Sequence, residues 1–203
     1  MIDSLVNFNS SIQKSNILKK IQCPDSYGLM TFHRPSNVDR KETLSELLNT
    51  IEKCCRTLTM VLPLHPRTKK RISQLDYSTH KNIKLVKPFS FSDYNFLQIN
   101  ARAVISDSGT ISEESSILNF PAINLRESHE RPEAMEEGAV IMSGINYDRV
   151  CQSLEVLLHQ KRGELRTLNI VNEYKNENVS EKLIRVILSY TDYIKREIWK
   201  CYI

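Results

Sequence analysis

The sequence contains 203 residues, enough for one well-buried domain or for half of a larger two-domain protein. Its 28 basic and 24 acidic residues are interleaved and give a net charge of +4, which argues against nucleic acid as a partner but suits a small anionic ligand. No apolar run approaches the roughly 18 residues of a membrane span, and the first residues lack the basic start and apolar core of a signal peptide. The five cysteines show no C-x-x-C spacing, so we expect reduced thiols, a cytoplasmic location and no metal site.

The first predicted element is a helix within residues 4–20, after which short β-rich segments alternate with helices. Most of the β-rich segments are continuously apolar, which is typical of strands buried on both faces. These segments are residues 27–33, 59–65, 82–87, 103–108, 121–126 and 139–144. Helical spacing of apolar residues fills the intervals, most clearly in residues 41–55, where it places Leu44, Leu47, Leu48 and Ile51 on one face. This alternation predicts an α/β, Rossmann-like fold with a parallel sheet and helices on both faces.

The C-terminal part of the chain departs from this alternation. Residues 172–178 are predicted to form a polar loop, and a long terminal helix is predicted to begin at Ser180 as its N-cap. This helix, within residues 180–203, is rich in large apolar side chains. We find no internal domain boundary and expect a single domain over residues 1–203.

Polar residues cluster where the predicted strands end. In open α/β sheets, ligands bind beyond the carboxyl ends of the strands. The first strand is followed by His33 and Arg34, the second by His65, the fourth by residues 107–110, and the fifth includes Arg126 at its end. The next loop, residues 127–133, leads into a short helix that we expect to begin at Pro132 and to be closed by Gly138. We therefore expect a binding site at this edge of the sheet.

The segment "SDSGTISEES" at residues 106–115 is the most informative of these strand ends. Thr110 and Glu113 have the spacing of a capping box, which predicts a helix whose free N–H groups favour an anion. Ser108 and Gly109 would let a phosphate approach the backbone, and Glu114 suits a ribose diol. A Ser-Gly turn with a capping box is also common without a ligand, and strand-end histidines often only hydrogen-bond structurally. Because G-x-G-x-x-G and P-loop motifs are missing, these residues alone indicate an α/β domain that binds an anionic ligand.

Four motifs together carry a more specific resemblance. They are "TFHRPSNVD" (31–39), "LPLHPRT" (62–68), "ISDSGTISEES" (105–115) and "LRESHERPEAMEEGAV" (125–140). In this order they resemble the C-terminal half of the non-hydrolysing UDP-N-acetylglucosamine 2-epimerases. The resemblance implies a two-domain GT-B-like fold that interconverts UDP-GlcNAc and UDP-ManNAc without a cofactor. The implied reaction removes the C2 proton, eliminates UDP to a 2-acetamidoglucal and adds UDP back after reprotonation on the opposite face.

The resemblance also implies roles for individual residues. His33 matches the active-site histidine of the family, and His65 matches a position near the domain cleft. The residues matched to UDP or substrate binding are Ser108, Gly109, Thr110, Glu114, Arg126, Glu130 and Arg131, with His65 included. No metal is implied.

Some positions depart from the pattern of many family members. Ser36 stands in the place of a glutamate, Thr110 in that of a glycine and Ser112 in that of a glutamine. These variants resemble the branch that acts on deoxy sugars such as UDP-2-acetamido-2,6-dideoxy-L-talose. The substrate therefore stays open between UDP-GlcNAc and such a sugar.

The family's proton-transferring carboxylates lie in an N-terminal domain that this sequence does not contain. We therefore expect the chain to be inactive alone, and expect residues 180–203 to pack on that missing domain or on a partner chain, or else to promote self-association. A non-catalytic UDP-sugar-binding module is the alternative. The "ERPE" motif argues against a third class, the nucleotide-binding half of a GT-B glycosyltransferase.

Overall fold

The computed structural model describes residues 1–54, 56 and 58–201. Its centre is a parallel sheet of six strands in the order β3-β2-β1-β4-β5-β6, which is the strand order of a Rossmann fold. The strands are β1 (Tyr27–Thr31), β2 (Thr59–Pro63), β3 (Ile83–Val86), β4 (Ala103–Ser106), β5 (Ala122–Asn124) and β6 (Ile141–Met142). All six predicted strands are confirmed. Each is shorter than predicted, because the last residues of most predicted segments belong to the loops beyond the strand ends.

Helices connect the strands and flank the sheet. They are α1 (Ile2–Gln13), α2 (Ile17–Lys20), α3 (Pro35–Val38), α4 (Lys41–Cys54), α5 (Pro66–Ile72), α6 (Phe91–Asn100), α7 (Ile111–Leu118), α8 (Pro132–Glu136), α9 (Tyr147–Leu158) and α10 (Val179–Glu197). The predicted helix over residues 4–20 is two helices, α1 and α2. The predicted helix over 41–55 is confirmed as α4, while Cys55 lies outside the described residues.

The hydrophobic core lies in two layers, one on each face of the sheet. Alternate residues of β1 point to opposite layers: Met30 joins the layer beneath α4 and α9, and Leu29 joins the layer beneath α6 and α7. The four apolar residues predicted to share one face of α4 are each at most 2% exposed. Helices on both faces of the parallel sheet confirm the predicted fold class.

The short helix after β5 follows its sequence signals. α8 begins at Pro132, and Gly138 takes the left-handed conformation (φ 73°) just after its end. Proline suits the first helical position because its missing N–H has no helical partner there, and glycine adopts a positive φ without strain. Both predictions for this helix are confirmed.

The N-cap predicted for the last helix is wrong. α10 is capped at Asn178, which adopts a left-handed backbone (φ 59°), and Ser180 lies within the first turn. The backbone N–H and the hydroxyl of Ser180 both donate to Oδ2 of Asp3, at 3.1 Å each. The Ser180 backbone N–H lowers the pKa of Asp3 below its ordinary value. The carboxylate of Asp3 on α1 thus accepts a hydrogen bond at the start of α10 that a capping side chain would otherwise accept.

α10 packs on the rest of the domain much less than the other long helices do. None of its residues is buried. The segment predicted as a polar loop just before it includes a 3₁₀ turn, Asn172–Lys175. Among the described residues, no helix is both long enough and apolar enough to cross a membrane.

Candidate functional site at the carboxyl edge of the sheet

Asp107, the first residue after β4, joins two loops at the carboxyl edge of the sheet. Its side chain is fully buried. Oδ2 accepts hydrogen bonds from the backbone N–H groups of His33 (2.9 Å) and Arg34 (2.8 Å) and from Nδ2 of Asn37 (3.1 Å). Nδ1 of His33 lies 3.3 Å from Oδ1. The carboxylate therefore fixes the loop after β1 against the end of β4.

The two histidines predicted at strand ends lie side by side. The ring centroids of His33 and His65 are 5.1 Å apart, with a tilt of 32° between the rings. His65 is the N-cap of α5, and its Nδ1 accepts the backbone N–H of Arg67 at 3.2 Å. The strands β1 and β2 are neighbours in the sheet, and this pairing brings the two rings together.

The Ser-Gly turn after β4 is held by hydroxyl groups. Oγ of Ser106 accepts the backbone N–H of Ser108 at 3.0 Å and lies 2.9 Å from Oγ1 of Thr31. Oγ of Ser108 lies 2.9 Å from Oγ1 of Thr110. Ser106 of β4 thus holds the turn through the backbone of Ser108, and Thr31 of β1 holds the hydroxyl group of Ser106 in place.

The predicted capping box at the start of α7 does not form. Thr110 has a helical backbone (φ −71°, ψ −14°), and its side chain accepts no N–H of the first turn. Glu113 instead accepts a 2.6 Å hydrogen bond from Nε of Arg131. The box is lost because Thr110 pairs with Ser108 and a guanidinium group holds the glutamate. Thr110 therefore does not cap the first amide groups of α7.

Two arginines converge on Gly109. A Cβ atom at this position would lie 3.0 Å from Nη1 of Arg131 and 3.4 Å from Nη1 of Arg126. Arg126 is only 7% exposed, and its Nε and Nη2 groups have no hydrogen-bond partner among the described residues. The side chain of Glu130 is largely exposed. Its Oε1 lies 3.6 Å from Nη2 of Arg126, and its Oε2 lies 3.7 Å from Nη1 of Arg131. The two guanidinium groups therefore lie close against the Gly109 turn and make it positively charged, and Arg126 is short of acceptors among the described residues.

Glu114 is buried in the first turn of α7. It is 6% exposed, and its Oε2 accepts a 2.7 Å hydrogen bond from Nε2 of Gln98. Burial raises the pKa of Glu114, while the hydrogen bonds from Gln98 and Thr110 partly oppose this shift. One turn before Gln98 on α6, the hydroxyl of Tyr94 lies 3.1 Å from Oγ1 of Thr31.

Two cavities open at this edge of the sheet. One, of about 220 Å³, includes both histidines and Ser108 and is otherwise mainly apolar, with Phe89 and Tyr94 in its wall. The other, of about 270 Å³, is lined by more polar than apolar residues, among them Arg34, Ser36, Asn37, Thr43, Arg126 and Glu127. The edge therefore offers an aromatic compartment and a polar compartment.

The predicted site residues form three contact groups in the structure. His33 and His65 form the first, Ser108 and Thr110 the second, and Arg126, Glu130 and Arg131 meet beside Gly109 in the third. Glu114 lies one turn after Thr110 and adjoins the second group, because the side chain of Thr110 hydrogen-bonds to its carboxylate.

Sequence reasoning assigned no role to several side chains that position the predicted ones. They are Asp107, Asn37, Gln98 and Tyr94. Tyr94 and Gln98 have i, i+4 spacing on α6, so a polar pair on one face of a half-buried helix was a signal that the sequence offered.

Among the described residues, no three His, Cys, Asp or Glu side chains are grouped in a way that could hold a metal ion.

The strand order and the polar loops at the ends of β1, β2 and β4 define a Rossmann-like α/β domain, of the class that forms the C-terminal half of a GT-B-like fold. A family model described as UDP-N-acetylglucosamine 2-epimerase matches residues 1–188, and the chain belongs to this family. The predicted resemblance is thereby confirmed.

Relatives from distant organisms agree with this assignment. The chain is 35% identical over 175 residues to a UDP-N-acetylglucosamine 2-epimerase of Methanocaldococcus jannaschii, covering 83% of this chain and 46% of the relative. It superimposes with a TM-score of 0.84 on the solved epimerase of Rickettsia bellii, at 40% identity, covering 96% of this chain and 53% of that one. For the M. jannaschii enzyme solved in complex with UDP-GlcNAc and UDP, the TM-score is 0.81 at 29% identity, with 93% of this chain and 52% of that one covered. The chain thus spans about half the length of the relatives that it matches.

Proposed function

We propose that this chain is the UDP-binding domain of an enzyme that interconverts UDP-GlcNAc and UDP-ManNAc, and that it forms one wall of the reaction cleft. Membership of the epimerase family and the relative that holds UDP-GlcNAc and UDP support the proposal. The observation that carries it is the buried guanidinium group of Arg126, which lies beside the Gly109 turn and whose Nε and Nη2 lack hydrogen-bond partners among the described residues.

The diphosphate of UDP binds over Ser108 and Gly109 in this proposal. An anion there would satisfy the buried Arg126, which otherwise has an incompletely hydrogen-bonded charge. The first amide groups of α7, which the side chain of Thr110 does not cap, and the positive end of the helix dipole add to the attraction. Glu130 would repel a phosphate, so we assign it to orienting Arg126 and Arg131 from the exposed side.

The nucleoside lies toward α6. The carboxylate of Glu114 accepts hydrogen bonds from the ribose diol, and Gln98 holds it in place. The aromatic compartment with Phe89 and Tyr94 offers the apolar wall that a uracil ring needs. The ribose then bridges a base on α6 and a diphosphate on the turn before α7.

Catalysis by such an enzyme needs groups on both faces of the sugar. Epimerisation at C2 removes a proton from one face and returns one to the other, which requires an acid and a base in separate positions. His33 is the candidate on this wall, and His65 lies beside it. The resemblance places the remaining proton-transferring carboxylates in an N-terminal half, so this chain is proposed to need that half, in the same polypeptide or as a partner, for turnover.

A deoxy sugar is the second candidate substrate. Ser36, which replaces a glutamate found in many family members, lies in the wall of the polar compartment together with Arg126. A serine there removes a charge from the wall, which favours a sugar with fewer hydroxyl groups to bind. UDP-2-acetamido-2,6-dideoxy-L-talose is the corresponding substrate by resemblance.

Calorimetry with UDP tests the binding part of this proposal. We expect the isolated chain to bind UDP weakly, because half of the cleft is missing, and to bind uridine more weakly still because it lacks the diphosphate. ADP is the control, since it presents the same diphosphate with a purine. Equal binding of UDP and ADP would contradict the uridine assignment, and no binding of UDP at millimolar concentration would contradict the site.

Proton exchange tests the catalytic part. In heavy water we expect the chain alone to incorporate no deuterium at C2 of UDP-GlcNAc, as followed by NMR. Adding the N-terminal half of a family member should restore the exchange, and His33→Ala should then reduce it. Robust exchange by the chain alone would show that the base lies on this wall.

A further inference from the structure

The buried carboxylate of Asp107 has one oxygen atom that lacks a hydrogen-bond donor. Oδ2 accepts three hydrogen bonds, but Oδ1 accepts none from the described residues, although the side chain is fully buried. A buried acceptor without a donor is costly, because it has lost its water without a replacement. Nδ1 of His33 lies 3.3 Å from this oxygen and is therefore placed to supply the donor.

This proximity determines where the neutral ring of His33 carries its proton. An unprotonated Nδ1 would direct its lone pair at a carboxylate oxygen, and two acceptors would repel each other at that distance. A proton on Nδ1 instead supplies the missing donor and turns the repulsion into a charge-assisted hydrogen bond. The proton of the neutral ring therefore resides on Nδ1, and Nε2 keeps its lone pair.

In the neighbouring ring of His65, a contact at Nδ1 instead requires that nitrogen to be unprotonated. Its Nδ1 accepts the backbone N–H of Arg67 at 3.2 Å, so this nitrogen carries the lone pair. The proton of a neutral His65 ring then resides on Nε2. The two rings, whose centroids are 5.1 Å apart, thus carry their protons on different nitrogens.

We propose that Asp107 is a positioning residue that fixes the Nδ1–H tautomer of His33, so that the histidine pair offers one acceptor (Nε2 of His33) and one donor (Nε2–H of His65). In the proposed epimerase, His33 then accepts a proton or a hydroxyl hydrogen bond, and His65 donates to a substrate oxygen. These substrate roles rest on the proposed function, whereas the tautomers do not.

Nitrogen-15 NMR of the histidine rings tests the proposal directly. The spectra are recorded without any ligand at about pH 8.5, well above the ordinary histidine pKa of about 6.5, so that ordinary rings are neutral. His33→Gln and His65→Gln variants assign the two sets of signals. We expect the protonated nitrogen to be Nδ1 in His33 and Nε2 in His65. The opposite tautomer in either ring of the wild-type chain would overturn the proposal.

Asp107→Asn separates the positioning role from a general structural one. The asparagine oxygen can replace Oδ2 as the acceptor of three hydrogen bonds, and its amide N–H then faces Nδ1 of His33. Because two donors would now meet, we expect the His33 proton to move to Nε2, as the wrong tautomer arises when a triad aspartate becomes asparagine. The His65 tautomer should not change.

Asp76→Asn, a substitution of an exposed aspartate, is the matched control and should leave both tautomers as in the wild type. An unchanged His33 tautomer in a folded Asp107→Asn chain would overturn the role of Asp107. If that variant does not fold, as judged by circular dichroism, the wild-type spectrum still decides the tautomers. Because no ligand is present, a failure of UDP binding and a failure of this proposal are distinguishable.

Discussion

The side-chain amide of Gln98 donates a 2.7 Å hydrogen bond to Oε2 of Glu114, and both side chains are almost completely buried. The bond joins α6 to α7 and fixes the carboxylate without neutralising it. A buried glutamate whose hydrogen-bonding side chains, Gln98 and Thr110, are both neutral is unfavourable for folding, and burial accordingly raises its pKa. Such a buried charge is typical of a residue retained for binding. We therefore expect replacement of Glu114 to affect the stability of the fold and the affinity for UDP differently.

The first prediction concerns stability and pH. Because the folded-state pKa of Glu114 lies above its ordinary value of 4.5, the folded chain binds a proton more readily than the unfolded chain between those two values. The free energy of unfolding therefore falls as the pH rises through this window. Glu114→Gln removes this titrating carboxyl group. We therefore expect the variant to be at least as stable as the wild type at about pH 8, where the buried carboxylate of the wild type is charged. At about pH 4 the variant should no longer be more stable than the wild type. Urea unfolding at both pH values measures this, and a less stable variant at the higher pH would contradict it.

The second prediction concerns the same substitution and UDP. Glu114→Gln replaces a charge-assisted hydrogen bond to the ribose with a neutral one, which we expect to weaken UDP binding by about 1.5 kcal/mol, or roughly tenfold. Glu114→Ala should cost more, up to about 3 kcal/mol. Calorimetry measures both, and Glu136→Gln on the exposed side of α8 is the control. Unchanged affinity in both Glu114 variants would remove this residue from the site.

The third prediction concerns Gly109. Gly109→Ala would place a Cβ atom 3.0 Å from Nη1 of Arg131 and 3.4 Å from Nη1 of Arg126, in the space assigned to the diphosphate. The ends of long arginine side chains can yield, so we expect a folded protein whose UDP affinity is reduced by about tenfold or more, that is about 1.4 kcal/mol. Uridine, which has no phosphate, should bind both proteins alike. An equal loss for uridine would show that the methyl group disturbs the whole site.

The fourth prediction concerns Arg126. Replacing a buried, incompletely paired charge with an apolar side chain of similar length is often neutral or stabilising. We therefore expect Arg126→Met to unfold at a temperature no lower than the wild type, while its affinity for UDP falls by about tenfold or more. Arg149→Met, on the exposed surface of α9, should change neither property. A strongly destabilised Arg126→Met protein would mean that the guanidinium group stabilises the fold.

The sequence predicted the sheet well because buried parallel strands leave continuous apolar runs. It also predicted which strand ends carry polar groups, and the strand order then brings His33 and His65 together. The four apolar residues of α4 were predictable because their spacing alone defines a buried face. These features depend on local patterns and on the general rule that ligands lie at the carboxyl edge.

The two wrong capping predictions show where local patterns fail. Glu113 has the spacing of a capping box, but its partner is Arg131, 18 residues away. Ser180 resembles an N-cap, but it donates to Asp3, 177 residues away. In both cases a charged side chain from another element competes successfully with a local hydrogen bond. Local patterns also do not predict the contact of Asp107 with the loop of His33, because 74 residues separate the two in sequence.

The terminal helix α10 presents an apolar stripe that its own domain leaves uncovered. Leu183, Ile187 and Tyr190 follow one another at spacings of four and three residues on one face and are 56%, 54% and 56% exposed. Exposed apolar surface of this kind promotes association. We therefore propose that the stripe packs on an N-terminal half where one is present, and predict that the chain otherwise self-associates through it.

Two changes to α10 test this last prediction. Deleting residues 192–203 removes the exposed Tyr193, Ile198 and Trp199, which extend the apolar surface beyond Tyr190, and should therefore reduce association. The sheet domain should stay folded, because α10 has no buried residue. Leu183→Glu combined with Ile187→Glu should have the same effect through charge, whereas Ser189→Glu, on the polar side of the helix, should not. Light scattering measures association and circular dichroism measures folding. A strictly monomeric wild-type chain would contradict the prediction, and a truncation that unfolds the sheet domain would show that α10 contributes to the stability of its own domain.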